Sequence, residues 1–315
     1  MAQTGWTVSN IPPQTGRLAI VTGSTSGIGF ESALALARAG ARVIVSGRDA
    51  RRGERALAAI RKAHSSADVS FQALDTARLA SVRDFAQTVA VDRPIDILLL
   101  NAGIASVPKR EETEDGFERQ LATNYLGHFA LAGLLLGRMR QDPLSRIVQV
   151  ASLAHRRAHI HFDDLQMQGD YSAGAAYGQS KLAMLMFGLE LDRRLRAAAS
   201  PVQSVPAHPG MAVTEIFRRG DRAGLVQRLA GRLIFSMMGQ SAANGALPLL
   251  YAATAPAARG GAYYGPNGTK EIKGLPANAE IRPQALDVEA AERLWRMSED
   301  LTGVAYDFAA LRRHT

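Results

Sequence analysis

Short runs of apolar, often β-branched residues alternate with longer amphipathic stretches along most of the chain, starting at Leu18. The continuous apolar runs predict strands that are buried on both faces, and the stretches between them have helical spacing. Strands are predicted at 18–22, 42–46, 69–73, 95–100, 146–151 and 202–206, with a further one at 260–265. Helices are predicted near 27–40, 50–63, 78–90, 114–140 and 173–199, with a final one at 285–301. This order predicts an α/β fold, a doubly wound parallel sheet of about seven strands with helices on both faces.

Composition limits the classes of protein that fit. The 315 residues are 47% hydrophobic and contain no linker or internal repeat, which predicts one domain spanning residues 1–315. The net charge of +8 comes mostly from arginines spread over predicted helix surfaces, a pattern of solvated faces and not of nucleic-acid binding. The absence of cysteine excludes disulfides and thiolate chemistry and fits a cytoplasmic protein. We expect no signal peptide in residues 1–17, and no apolar run is long enough to span a membrane.

A glycine-rich turn follows the first predicted strand and opens the first helix. Its first glycine permits a tight turn, its second lets a diphosphate approach the backbone, and its third lets the helix pack on the strand. The helix N-terminus then offers unpaired N–H groups to the phosphates of a dinucleotide. The predicted cofactor contacts in this turn are Gly23, Ser24, Thr25, Ser26, Gly27, Ile28 and Gly29.

The end of the second strand indicates which dinucleotide is bound. A carboxylate there would hold the ribose hydroxyls of NAD, but this chain has Gly47 followed by Arg48. The Arg48 guanidinium can bind a 2′-phosphate, which favours NADP(H). Asp49 is a counter-signal that could turn inward, although its place before the helix at Ala50 favours an N-cap.

Two further strand ends carry candidate cofactor contacts. Asp75, followed by Thr76, ends the third strand, where its carboxylate would accept the adenine amino group or, alternatively, cap the next helix. Asn101 ends the fourth strand and is followed by Ala102 and Gly103, where bulkier side chains would collide with the cofactor.

Tyr177 and Lys181 lie four residues apart in a predicted helix, so their side chains lie on one face. An ammonium beside the phenol lowers the tyrosine pKa, which would let the hydroxyl exchange a proton with a substrate oxygen. The pair alone is common on helix surfaces. It gains meaning from the glycine-rich turn and from Ser152, which follows the fifth predicted strand.

Together these motifs resemble the short-chain dehydrogenase/reductase family, and in particular its retinol-dehydrogenase-like branch. The matching residues run in the family's order: the glycine-rich turn, Asp75, Asn101-Ala102-Gly103, Asn124, Ser152, Tyr177, Lys181, Pro209-Gly210 and Thr214. The resemblance implies a Rossmann-type fold. Residues 15–110 would mainly bind the dinucleotide, 111–265 would carry the catalytic residues and a substrate lid, and 266–315 would form a C-terminal extension.

The resemblance also implies a role for each matching residue. Tyr177 would be the general acid or base, Lys181 would lower its pKa and hold the nicotinamide ribose, and Ser152 would hydrogen-bond the substrate oxygen. Asn124 would anchor a water that relays protons from Lys181, the alternative being an ordinary helix-interior asparagine. The predicted contacts at the nicotinamide end are Tyr177, Lys181, Pro209, Gly210 and Thr214.

Two features depart from the family's commonest pattern. The segment between Ser152 and Tyr177 is longer than usual, as it is in the retinol-dehydrogenase-like branch, which implies an insertion beside the substrate pocket. Retinol dehydrogenases often carry an N-terminal membrane anchor, which this chain is expected to lack. The absence of cysteine argues against a light-dependent protochlorophyllide reductase.

The residues after the Pro-Gly turn indicate the kind of substrate. The stretch 215–240 combines apolar residues and methionines at helical spacing with interspersed arginines. A flexible apolar lid over a bulky substrate is the favoured interpretation, with Phe217 as a substrate contact. Core packing, an oligomer contact and a membrane-surface helix are the alternatives. His155 is a second candidate substrate contact, and with His159 and His161 it predicts no metal site, because no fourth ligand is specified.

The sequence therefore predicts an NADP(H)-dependent oxidoreductase that interconverts a carbonyl and an alcohol on an apolar retinal-, steroid- or polyketide-like molecule. An enone reductase or a redox-neutral biosynthetic enzyme with the same site is one alternative. An NADP(H)-sensing binding protein without turnover is another, because a fold does not dictate a function. Two long helices, 114–140 and 173–199, are candidates for pairing in a homo-oligomer.

Overall fold

A parallel sheet of six strands forms the centre of the molecule. The computed structural model describes residues 5–89, 93–211, 240–309 and 311. The strands are β1 Leu18–Val21, β2 Arg42–Gly47, β3 Val69–Ala73, β4 Ile97–Leu100, β5 Arg146–Gln149 and β6 Gln203–Ser204, in the order β3-β2-β1-β4-β5-β6. This confirms the predicted single-domain, doubly wound α/β fold of Rossmann type. The strand order reverses between β1 and β4, which is where such sheets bind their ligands.

The prediction of a seventh strand in this sheet is wrong. Residues 260–265 contribute only a one-residue bridge to the sheet, between Ala207 and Tyr264. Instead, β7 Tyr264–Pro266 pairs antiparallel with β8 Pro276–Asn278. Pro266 has no N–H group to donate, so the segment cannot continue a parallel ladder beside β6.

The central strands are buried on both faces. Every residue of β1 is buried, and successive residues belong to two separate apolar cores. Leu18 and Ile20 lie in one core, whereas Ala19 and Val21 lie in the other. Because side chains alternate between the faces of a strand, a continuous apolar run requires a layer of helices on each side of the sheet.

Helices supply both layers. They are α1 Gly27–Arg38, α2 Ala50–Ala63, α3 Leu79–Thr88, α4 Arg119–Leu121, α5 Gly127–Leu135, α6 Ala173–Ala197, α7 Ala242–Thr254 and α8 Val288–Thr302. The long helix predicted at 114–140 is shorter and interrupted, because a π-helical turn, Ala122–Leu126, separates α4 from α5. None of the described helices is both long enough and apolar enough to cross a membrane.

The C-terminal extension closes one of the two cores. Trp295 of α8 packs against Phe129 and Tyr306, with ring centroids 5.1 and 4.6 Å apart. The guanidinium of Arg194 on α6 lies 4.3 Å from the centre of the same indole ring. These contacts confirm the prediction that a final helix packs on the core, since aromatic and cation–π pairs each stabilise such an interface.

Candidate active site

The turn after β1 brings backbone groups very close together. Gly23 has a φ of +63°, and a Cβ atom added to it would lie 2.7 Å from the Cα atom of Ala102. A Cβ atom on Gly29 would lie 2.5 Å from the carbonyl oxygen of Gly23. Because real Cβ atoms do not approach other heavy atoms so closely, these two positions require glycine.

A cleft of about 650 Å³ lies beyond the carboxyl ends of β1 to β4. Its walls are formed by small residues and backbone groups, which is what the close approach of a dinucleotide requires. The predicted cofactor contacts that line it are Gly23, Thr25, Ser26, Gly27, Ile28, Gly29, Arg48, Asp75, Thr76, Asn101, Ala102 and Gly103. The described residues therefore fit a nicotinamide dinucleotide.

Ser24, a predicted cofactor contact, does not line the cleft. Its side chain is fully buried, and its hydroxyl donates to the carbonyl of Val21 and accepts from the N–H of Ser46. The N–H of Ser24 also donates to the carbonyl of Ser46, at 2.9 Å. Ser24 therefore joins the ends of β1 and β2, a role that depends on the pairing of two strands and is not visible in the glycine-rich motif.

Several other predicted contacts lie outside the lining of this cleft. The side chains and turn concerned are Tyr177, Lys181 and Pro209-Gly210. Thr214, Phe217 and the predicted lid as far as residue 239 lie outside the described residues. The residues that flank this segment are hydrogen-bonded to each other: the N–H of Gln240 donates to the carbonyl of Met211 at 2.8 Å.

Two arginines border the cleft at the end of β2. Arg48 is exposed and lines the cleft, as predicted. Asp49 caps α2 by accepting the N–H of Arg52 at 3.1 Å, which confirms the predicted N-cap, and this bond holds its pKa below the usual value. Sequence analysis missed Arg52, which also lines the cleft and lies 3.4 Å from the hydroxyl of Ser26. Its position in the first turn of α2, directly after the end of β2, was the signal that could have found it.

Asp75 and Thr76 lie in the cleft wall after β3. The Asp75 carboxylate accepts the N–H of Ala77 at 3.0 Å. Because α3 has Arg78 as its N-cap, the alternative that Asp75 caps this helix is wrong. Asp75 remains a candidate for binding the adenine amino group.

The structure brings Tyr177, Ser152 and Lys181 together across the carboxyl end of β5. Tyr177 and Lys181 lie on α6, and the Ser152 hydroxyl lies near enough to the Tyr177 phenol to act on its pKa. The Ser152 hydroxyl also accepts the N–H of Ala154 at 3.2 Å, which fixes its orientation. The Lys181 ammonium lies 6.0 Å from the centre of the Tyr177 ring.

Burial shifts the pKa values of both Tyr177 and Lys181. Burial raises the pKa of Tyr177, and the nearby Ser152 hydroxyl opposes that rise, so the net direction is opposite to the prediction. The Lys181 ammonium, which donates to the carbonyl of Val150 at 2.8 Å and lies 6.0 Å from the centre of the phenol ring, does not offset this effect of burial. Burial lowers the pKa of Lys181 to about 8. The ammonium is therefore charged below that pH.

Asn124 lies in the π-helical turn, fully buried, with its side-chain amide oriented by a loop and by α6. Its oxygen accepts the N–H of Ile104 at 2.8 Å, and its nitrogen donates to the carbonyl of Ile104 at 3.0 Å. The same nitrogen donates to the hydroxyl of Ser180, at 2.9 Å, a contact that sequence analysis missed. A Cβ atom on Gly103 would lie 3.2 Å from the Asn124 oxygen and 3.5 Å from the Lys181 ammonium. Both predicted residues therefore border the cleft wall at Gly103.

His155 and Tyr263 form a buried pair beside Ser152. His155 donates from Nδ1 to the carbonyl of Ser152 at 2.6 Å, and its ring meets that of Tyr263 edge-on at 5.4 Å. Among the described residues, Nε2 of His155 and the hydroxyl of Tyr263 have no hydrogen-bond partner. Burial lowers the pKa of His155, so Nε2 carries a lone pair in the neutral ring. Because Nδ1 is already bonded to Ser152, a substrate contact of His155 would have to be made by Nε2.

A buried polar chain holds the Pro209-Gly210 turn. His208 accepts the N–H of Gly210 on Nδ1 at 3.1 Å and donates from Nε2 to the carboxylate of Glu271 at 2.9 Å. Arg156 lies 2.9 Å from the same carboxylate. Sequence analysis assigned no chemistry to residues 266–315, so Glu271 was missed. It is distant in sequence from both partners, and no local pattern marks it.

Comparison with known proteins places this site in a family. The family model described as short chain dehydrogenase matches residues 17–223. Polyprenol dehydrogenase of Mus musculus is 43% identical over 301 residues, which cover 93% of this chain and 86% of that protein. Retinol dehydrogenase 13 of Homo sapiens is 40% identical over 294 residues, covering 92% and 85%.

A solved structure agrees with these relatives. The crystal structure of an uncharacterised protein from Mycobacterium paratuberculosis superposes with a TM-score of 0.78 at 38% identity, covering 96% of this chain and 100% of that one. The predicted family and its retinol-dehydrogenase-like character are thereby confirmed. The chain belongs to the short-chain dehydrogenase/reductase family and is an oxidoreductase of that family.

Proposed function

We propose that this protein is an NADP(H)-dependent oxidoreductase that interconverts a carbonyl and an alcohol on a long, apolar substrate, with Tyr177 as the acid and base. The observation that carries the proposal is the convergence of Ser152, Tyr177 and Lys181 at the carboxyl end of β5, with the Lys181 ammonium 6.0 Å from the centre of the Tyr177 ring. This group adjoins a cleft that fits a dinucleotide, because Gly103 of the cleft wall lies beside Lys181.

The chemistry follows from the positions of these side chains. A bound nicotinamide dinucleotide supplies the hydride for reduction or accepts it in oxidation. In reduction the Tyr177 hydroxyl gives its proton to the substrate oxygen, and in oxidation it takes the proton back. Ser152 donates a hydrogen bond to the same oxygen and stabilises the charge that develops there. The Lys181 ammonium stabilises the tyrosinate electrostatically and orients the nicotinamide ribose.

The preference for NADP(H) rests on the arginines at the end of β2. Arg48, Asp49 and Arg52 all line the cleft, and one carboxylate oxygen of Asp49 is used in capping α2. Two guanidinium groups beside one carboxylate favour a 2′-phosphate over the free ribose hydroxyl of NAD. We expect Arg48→Ala to weaken NADPH binding about tenfold or more and to leave NADH binding nearly unchanged. Arg51→Ala is the matched control, because Arg51 is an exposed arginine three residues further along the chain and does not line the cleft.

The substrate class rests on the relatives. One is named for polyprenol and another for retinol, and both of these alcohols are long isoprenoid chains with one polar end. A retinal-like or polyprenal-like molecule is therefore favoured over a steroid or a polyketide. Reduction is the favoured direction, since cells usually keep NADP reduced.

The test is to follow NADPH and NADH absorbance with purified protein and a panel of carbonyl compounds. The panel runs from small aldehydes through steroid ketones to retinal and polyprenal. We expect NADPH to be consumed with the long isoprenoid aldehydes. Turnover of small polar aldehydes alone would contradict the proposed substrate class. Tight NADPH binding with no turnover on any member would favour the sensing alternative.

A cytoplasmic location remains part of the proposal. Fractionation of cells that produce the full chain tests it, with activity expected in the fraction free of membranes. Recovery of the protein in the membrane fraction would contradict it.

A further inference from the structure

His128 connects two parts of the candidate site that lie far apart in the sequence. It is fully buried on α5, one helical turn after Asn124. Its Nε2 atom lies 2.9 Å from the hydroxyl of Thr22, and its Nδ1 atom lies 3.1 Å from the carbonyl oxygen of Asn124. The sequence alone predicts only a packed histidine in an apolar helix at this position.

The Thr22 hydroxyl is itself a junction in the cleft wall. It accepts the N–H of Asn101 at 2.8 Å and the N–H of Ala102 at 2.9 Å. Those two bonds use both lone pairs of the oxygen, so the hydroxyl can only donate to a third partner. The carbonyl of Leu99 lies 3.4 Å away, whereas Nε2 of His128 is at 2.9 Å and is the better acceptor.

The same counting fixes the proton on the His128 ring. The Asn124 carbonyl can only accept, so Nδ1 must carry a hydrogen, and the Thr22 hydroxyl can only donate to Nε2, so Nε2 must carry a lone pair. A neutral ring with its hydrogen on Nδ1 meets both requirements. Burial lowers the pKa of His128 to about 4, and the Lys181 charge acts in the same direction, so the ring is neutral at physiological pH.

We propose that His128 is a positioning residue that couples the Asn124 carbonyl to the Thr22 hydroxyl and, through it, to the Asn101-Ala102 turn of the dinucleotide cleft. At one end His128 is bonded to the backbone of Asn124, which lies with Lys181 beside Gly103. At the other end Thr22 is bonded to the backbone of Asn101 and Ala102, which line the cleft. The catalytic consequence of the coupling rests on the proposed function, but the hydrogen-bonding pattern does not.

Two substitutions separate the two ends of the coupling. The amide nitrogen of an asparagine lies near the place of Nδ1, so His128→Asn retains a donor to Asn124 and removes the acceptor for Thr22. A glutamine reaches the place of Nε2, so His128→Gln retains an acceptor for Thr22 and removes the donor to Asn124. Each variant loses one buried hydrogen bond, so a merely structural role would lower cofactor affinity and turnover together in both.

The positioning role predicts a crossed result. We expect His128→Asn to raise the Kd of NADPH about tenfold while the kcat falls less than threefold. We expect His128→Gln to lower kcat about tenfold while the Kd of NADPH rises less than threefold. Kd is measured by titration of cofactor fluorescence, and kcat with the most active carbonyl of the panel. Parallel losses of both parameters in both variants would overturn the proposal.

A measurement on the unsubstituted protein keeps the proposal testable if a variant does not fold. Nitrogen-15 labelling of histidine distinguishes the two neutral ring forms, and the chain has 7 histidines to resolve. We expect two buried rings with the hydrogen on Nδ1, those of His128 and His155, and only the signals of the first should disappear in His128→Asn. A hydrogen on Nε2 of the His128 ring would overturn the proposal. Failure of all turnover would contradict the proposed function and leave this test and the Kd comparison intact.

Discussion

The nucleotide half and the substrate half of the site are stabilised in different ways. The nucleotide half comprises the turns after β1, β2 and β4, where small residues line the cleft and backbone N–H groups of one turn donate to the Thr22 hydroxyl of another. The substrate half comprises residues 152–157, the Pro209-Gly210 turn, Tyr263 and Glu271, where buried polar side chains contact one another. The first half has local sequence signatures, whereas the second is assembled from residues far apart in the chain.

This difference indicates where amino-acid substitutions are expected to disturb the structure. A glycine in the nucleotide half is required by contacts within 3 Å, so substitution there is severe. In the substrate half, Nε2 of His155 and the Tyr263 hydroxyl lack partners among the described residues, so removing either of these two atoms breaks no hydrogen bond of the described fold. The nucleotide half therefore suits an invariant cofactor, and the substrate half suits adaptation to a particular substrate.

The largest effect is expected from Tyr177→Phe, which should greatly lower turnover and leave cofactor binding in the nucleotide half unchanged. Removing the hydroxyl removes the proton donor, and we expect kcat to fall about 10³-fold. Cofactor affinity should stay within about twofold, because the cleft lining does not include Tyr177. Steady-state kinetics and NADPH titration check both statements. Full turnover by the variant would remove Tyr177 from its proposed role.

The second effect concerns the nucleotide half alone. Gly23→Ala places a side chain on a left-handed backbone and against Ala102, so we expect the free energy of unfolding to fall by about 3 kcal/mol and NADPH binding to be lost. Gly16→Ala is the matched control: its φ is +81°, but a Cβ atom there meets nothing within 4 Å. We expect it to cost about 1 kcal/mol from the backbone alone and to bind NADPH normally. Urea unfolding and cofactor titration measure both, and equal losses in the two variants would contradict the steric explanation.

The third effect is a pH dependence of the free energy of unfolding, caused by buried histidines in both halves. Burial lowers the pKa of His128 from 6.5 to about 4, and lowers those of His155 and His208. Below about pH 6.5 the unfolded chain binds protons that the folded protein does not, so stability falls as the pH falls. For His128 alone we expect a loss of about 2 kcal/mol between pH 7.5 and about pH 5.

Urea unfolding of wild type and His128→Asn at both pH values isolates this contribution. Buried Glu118 and Asp192 have raised pKa values and act in the opposite direction, but they are common to both proteins. The wild type should lose more stability than the variant. His159→Asn, which changes an exposed side chain, is the control. Equal losses in wild type and His128→Asn would show that His128 is protonated when folded.

The smallest effect tests the substrate half. The Tyr263 hydroxyl has no partner among the described residues, so we expect Tyr263→Phe to change the free energy of unfolding by less than about 0.5 kcal/mol. Tyr306→Phe is the matched control, because it removes a buried bond of 2.6 Å to the carbonyl of Phe129 and should cost about 1 kcal/mol. Thermal unfolding compares the two. A larger loss in Tyr263→Phe than in Tyr306→Phe would mean that the Tyr263 hydroxyl is engaged in the fold.

Features with a local cause could be predicted from the sequence. The central strands β1, β2 and β4 follow from continuous apolar runs, and the Asp49 cap follows from its place before α2. The glycine-rich turn and the pairing of Tyr177 with Lys181 on one helix face follow from spacing alone. In each case neighbours in the chain supply the interaction.

Features that depend on distant contacts were decided by the tertiary structure. Ser24 is hydrogen-bonded to Val21, and β7 pairs with β8 outside the six-stranded sheet. The Lys181 ammonium is hydrogen-bonded to the carbonyl of Val150. Glu271 and His128 acquire partners only when segments far apart in sequence pack together. The sequence by itself thus determined the fold class and the family, since those depend on local periodicity and on the spacing of motifs, and the catalytic set stays a prediction. Hydrogen-bond partners and charge states were left to the tertiary structure, because burial and long-range proximity set them.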